Sequence, residues 1–178
     1  MDKNMDIIES QGPEKEFYNI NRPKNIDKLT CLELYDKITS ILRIRIPFFN
    51  NRHLQTISAI SFITGNGPYH EGLIILTRLK NIYVSQIYPI TFIKVNTILE
   101  ATKEIILFNS FNKNSKTFKI SDLYIPHQTI IMNDIYDLVI NYPNKYNMLN
   151  ENCQKFCDNI INSLARKFKI ERDNNPKS

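Results

Sequence analysis

Two apolar runs joined by a short polar turn constrain this chain more than any other feature. His70 to Leu79 and Ile82 to Phe92 are dominated by β-branched, leucine and aromatic residues, with Lys80-Asn81 between them. Such residues fit a pleated, buried surface, so the pattern predicts an antiparallel hairpin. Ile57, Ile60 and Phe62 lead into Gly65-Asn66-Gly67-Pro68, a strong turn signal just ahead of the first run. Glu104 to Phe111 reads as another strand, closed by the polar Asn112 to Lys116, and residues 117 to 128 read as irregular around Pro126.

Helical patterns flank these strands. Thr30-Cys31-Leu32-Glu33 matches a capping box and predicts a helix to about Arg43, with Leu34, Ile38, Ile41 and Leu42 on one face. Ile130 to Tyr142 places Ile131, Ile135, Leu138 and Val139 at helical spacing and stops at Pro143. Asn152 to about Lys169 carries Phe156, Ile160, Ile161, Leu164 and Phe168 in the same way. The expected class is α+β: a helix, an antiparallel β-meander sheet, then two helices. Residues 1–28, polar and without periodicity, read as a flexible leader, 29–170 as a single domain and 171–178 as a disordered tail.

Length and composition exclude several functions. A chain of 178 residues makes one domain with a real core. It has only 4 glycines and neither phosphate-cradling pattern, GxGxxG or GxxxxGK[ST], which argues against nucleotide-binding enzymes of those kinds. The formal charge of +5 permits contact with nucleic acid or an anionic membrane without demanding either. Only Arg166, Lys167, Lys169 and Arg172 cluster, as expected of a helix C-terminal turn and a solvated tail. No nucleic-acid partner is expected. Membrane contact has weak support from the basic C-terminus.

The 3 cysteines are an odd number without framework spacing, and Met1 to Lys28 has no apolar signal region. No stretch approaches the ~20 apolar residues of a membrane span. Free thiols in a reducing intracellular compartment, cytoplasmic or nuclear, are the expectation.

The chemistry centres on Cys153. It falls in the first turn of the last predicted helix, where Asn150 or Asn152 can cap and the helix dipole favours a nucleophilic thiolate. The alternative is a small buried apolar residue. His70, at the mouth of a strand, is the candidate base, with a structural histidine as its alternative. His53 and His127 read as surface residues, while Cys31 and Cys157 read as buried packing thiols. Cysteine and histidine spacing offers no paired zinc pattern.

Tyr146, Leu149, Asn152, Cys153 and Phe156, opening a helix downstream of a strand that begins at His70, resemble the circularly permuted papain-fold (NlpC-type) thiol hydrolases. Two groups are similar: the PPPDE group, which removes ubiquitin-like modifiers, and the lecithin:retinol acyltransferase-like group, which moves acyl chains. Lys155 stands where acyltransferase-like members commonly have histidine, and no second-strand histidine is present. Near that position lie Asn81, Ser85 and Gln86, of which Gln86 is the candidate to orient His70.

The resemblance implies a permuted papain-like fold and a cysteine peptidase or isopeptidase. Cys153 would attack a carbonyl, His70 would carry the proton, and Asn152 would help hold the oxyanion. A protein substrate, a ubiquitin-like modifier among the candidates, is implied, and no metal or organic cofactor. Two alternatives stand beside it: a catalytically inactive interaction module on the same fold, and a lipid acyl hydrolase or acyltransferase.

Overall fold

In the computed structural model, residues 24–47, 69–87, 89–108, 118–143 and 153–170 are described. The elements in chain order are β1 (Asn25–Ile26), α1 (Cys31–Leu34), β2 (Ile38–Pro47), β3 (Tyr69–Thr77), β4 (Ile82–Gln86), β5 (Thr91–Val95) and α2 (Ile98–Phe108). They continue with β6 (Lys119–Pro126), α3 (Met132–Ile140), α4 (Cys153–Leu164), a 3₁₀ turn (Ala165–Lys167) and β7 (Phe168–Ile170). One mixed sheet runs in the order β1-β5-β4-β3-β2-β6-β7. β2 to β5 form an antiparallel meander, in which the β3–β4 hairpin is the expected one, and β1 pairs with β5 in parallel. The class is α+β.

β3 is the central strand, and its side chains are buried on both sides. That explains its nearly unbroken apolar run, since a strand covered on both faces needs no polar alternation. Helix α2 covers one face, where Ile44, Ile46, Ile74, Val84, Ala101 and Ile105 pack together. Helices α3 and α4 cover the other, against Ile41, Leu73, Ile75, Tyr83 and Phe92.

The ends of elements explain most departures from expectation. The capping box forms as read: Glu33 N donates to Thr30 Oγ1 and Thr30 N to Glu33 Oε2. Yet the helix stops at Leu34, and Ile38–Pro47 is a ten-residue strand. Ile38, Ile41, Ile44 and Ile46 are β-branched, and the strand is paired on both edges, so sheet packing overrides a helical spacing of the same residues. Conversely, Glu104 to Phe108 is helical. The missed signal is Thr97-Ile98-Leu99-Glu100, in which Thr97 Oγ1 accepts from Glu100 N at 3.1 Å, with Ala101 and Ile105 four apart on the buried side.

Ile82 to Phe92 divides into two strands because Pro89, which has no N–H to give a ladder, falls between them. Residues 119–126 form β6 rather than an irregular stretch, with Pro126 at its end. The last helix stops at Leu164, and the chain returns to the sheet as β7. Residues 24–28, expected to belong to a flexible leader, are placed against the sheet. Asn25 N and Asp27 N donate to Ile90 O and Phe92 O, both at 2.8 Å, which ties residues 24–28 to the sheet. Gly65 to Pro68, Ile57, His53, Asn112 to Lys116, the rest of the leader and the tail lie outside the described residues.

Gly72 sets how closely α2 approaches the sheet. A Cβ there would stand 2.9 Å from Ile105 Cγ1. Gly72→Ala is expected to destabilise the fold by about 1–3 kcal/mol through overpacking. Urea denaturation measures it, and an unchanged midpoint would show that α2 yields freely.

Candidate functional site

The proposed residues come from β3, β4 and α4. Along β3, alternate side chains point to opposite faces. Gly72 and Ile74 face α2, so His70 does too; its cross-strand neighbour Ile46 belongs to the same cluster. Tyr69, Glu71 and Leu73 face α4. The pairing with β2 runs from Ser40↔Leu76 to Pro47↔Tyr69 without a shift, so no bulge inverts the pattern.

Cys153 opens α4, as expected, but it is buried and part of the α3–α4 cluster. Its Sγ donates to Tyr69 O at 3.6 Å. His70 is also buried, and its Nε2 lies 3.0 Å from Gln86 Oε1. Gln86 Nε2 in turn donates to Glu104 O of α2 at 3.4 Å. The sequence therefore placed Gln86 beside His70 correctly, but the pair lies on the α2 side of the sheet and the thiol on the α4 side. The expected Cys153–His70 dyad is not assembled, because the alternation of β3 puts its two halves on opposite faces.

The expected acidic thiol is likewise absent. Burial pushes Cys153 up from 9.0 to about 12, the backbone donors around it opposing only in part. A helix dipole contributes at most about 2 kcal/mol. The rise to about 12 disfavours the thiolate by about 4 kcal/mol relative to an ordinary cysteine, more than the dipole can offset. Cys157 is buried too and pushed higher for the same reason, with Glu71 adding to the effect. Cys31, expected to be buried, is exposed, because its helix ends after one turn. His127 is exposed, as read. Asn150, Asn152 and His53 lie outside the described residues.

Sequence reasoning missed what surrounds the thiols. Glu71 is fully buried and binds two arginines, Arg43 through Nε at 2.6 Å and through Nη2, and Arg45 through Nε at 2.5 Å. Arg43 Nη1 reaches Asp158 of α4 at 2.7 Å, and Nη2 reaches Gln154 O at 3.3 Å. Arg45 also lies 4.6 Å from the Tyr69 ring centroid. Burial raises the Glu71 carboxyl and the guanidiniums oppose it. Two cations and two carboxylates balance, so the cluster reads as a clamp for α4. Its signal was visible: Arg43-x-Arg45 and Glu71 are charges inside otherwise apolar strands, and buried charges require partners.

Among the described residues, no group of three or more His, Cys, Asp or Glu side chains is placed to hold a metal ion. No described helix is long and apolar enough to cross a membrane. No protein-family model, curated protein or solved structure matches this chain.

Two outcomes follow from this geometry. Glu71→Gln weakens the partner of two buried arginines, and an expected cost of about 3–5 kcal/mol is measured by chemical denaturation. A cost below about 1 kcal/mol would mean that the clamp does not hold α4. Burial lowers the His70 pKa from 6.5, so the fold keeps the neutral ring. Its stabilising contribution is complete above about pH 6.5 and is lost as pH falls through the lower folded value. His70→Gln should therefore flatten stability against pH below about 6.5. A slope identical to that of the unsubstituted protein would show that the ring titrates freely.

Proposed function

We propose that this chain is a non-catalytic binding domain, built on a degenerate version of the permuted papain-like fold that its Cys153 motif resembles. The observation that carries the reading is the separation of the two candidate catalytic groups by the sheet, each of them buried and engaged elsewhere. A Cys–His hydrolase needs the imidazole within hydrogen-bond reach of the sulfur and a thiol that ionises near neutral pH. Cys153 is placed for neither. Support for the ancestral fold comes from chain order: the β3–β4 hairpin, which begins near His70, precedes the helix that Cys153 opens. The expected ubiquitin-like substrate depended on the dyad and is not carried into this reading. The acyl-transfer alternative needs the same nucleophile and shares its difficulty.

Thiol labelling tests the reading. Iodoacetamide at mildly alkaline pH should modify Cys31 first, with Cys153 and Cys157 protected until the protein unfolds. Cys31→Ser should then remove the fast phase, and the folded protein should not hydrolyse fluorogenic peptide or modifier substrates. Rapid, selective modification of Cys153, or turnover abolished by Cys153→Ala, would restore the enzyme.

A further inference from the structure

The β3–β4 turn and the end of α1 are built into one rigid tip. Buried Asp36 accepts from Leu79 N and from Asn81 Nδ2, both at 3.2 Å, and Arg78 N donates to Lys37 O at 2.8 Å. Lys80 takes the left-handed conformation, φ 65°, that closes the turn, and its N–H donates to Thr77 O at 3.1 Å. Around this junction three large apolar side chains face water: Leu32 is 71 % exposed, Tyr35 73 % and Leu79 51 %. Leu32 and Tyr35 are three residues apart and so are neighbours on the helical turn. Lys37, Arg78 and Lys80 are exposed beside them.

The acids of this region are already engaged. Asp36 is held by the turn. Glu33 closes the α1 cap and binds Lys94 Nζ at 2.7 Å, which holds its carboxyl down at about 2. Asp134 pairs with Lys167 at 3.3 Å. The tip therefore presents exposed apolar anchors beside three cations that have no acidic partner among the described residues.

That combination suits an anionic bilayer better than a protein. Lysine is depleted where proteins meet, whereas lipid phosphates accept point cations around a few apolar side chains, and tyrosine fits the boundary between wet and apolar layers. We propose that this tip docks the protein on an anionic membrane surface. Leu32, Tyr35 and Leu79 enter the headgroup–acyl boundary while Lys37, Arg78 and Lys80 contact lipid phosphates. The proposal deepens the non-catalytic reading and rests on it. Thiol chemistry and vesicle binding are separate readouts, so either can fail alone.

The test is sedimentation of the full chain with vesicles of phosphatidylcholine alone and of equal parts phosphatidylcholine and phosphatidylserine. Binding is expected only to the anionic vesicles, weakening as salt screens the cations. Each neutralised cation should cost about fivefold in affinity, so Lys37→Gln/Arg78→Gln/Lys80→Gln should lose on the order of 100-fold. Leu32→Ser/Leu79→Ser should also weaken binding, with circular dichroism unchanged. Tyr35→Trp should show a blue-shifted emission with anionic vesicles. An unsubstituted protein that stays in the supernatant, a triple variant that binds undiminished, or an unshifted Trp emission would each overturn the proposal.

Discussion

The pleat of β3 is the constraint on which everything else in this molecule depends. Tyr69, His70 and Glu71 are consecutive, and a strand cannot send consecutive side chains to one face. A register running from Pro47↔Tyr69 to Ser40↔Leu76 leaves no room for a local inversion. A one-residue slip would move Leu73 and Ile75 out of one core and Gly72 out of the close approach to α2, so burial on both faces fixes the arrangement. His70 consequently serves the α2 interface, where its Nε2 meets Gln86 Oε1 and Gln86 Nε2 donates in turn to the backbone carbonyl of Glu104. Glu71 serves the opposite interface.

On that opposite side, charge holds what hydrophobic packing alone would leave free to slide. Phe156, Cys157, Ile160 and Leu164 give α4 an apolar face, and apolar contact is non-directional. Arg43 adds direction, since its planar fork joins Glu71 of the sheet to Asp158 and a carbonyl of the helix. Cys153 and Cys157 fill the space beside this clamp. Their burial removes the water that would stabilise a thiolate, and the nearby Glu71 carboxylate disfavours one further. The same helix start that favours thiolate in an open site is here overruled by desolvation.

Much of this architecture was legible in the sequence. The hairpin around Lys80-Asn81, the helices of Met132–Ile140 and Cys153–Leu164, and the neighbourhood of His70 and Gln86 all follow from local pattern. What local pattern could not decide was competition. Leu34, Ile38, Ile41 and Leu42 fit a helix by spacing, and the β-branched run fits a strand by packing; only the presence of β3 and β6 on either side decides. The Cys153 motif was similarly ambiguous. Position at a helix start is visible in one dimension, but the face of a strand that meets that helix depends on the parity of residues far upstream. His70 and Glu71 differ by one place in sequence, and that one place separates a partner of the thiol from a residue behind the sheet.

The central claim, that the sheet keeps the sulfur and the imidazole apart, is tested most directly by following the Cys153 Cβ by ¹³C NMR through a pH titration. The account predicts a single thiol form through neutral pH, ionising only in strongly alkaline solution, with no step that His70→Gln removes. A titration near neutrality, shared between Cys153 and His70 and abolished by that substitution, would contradict it.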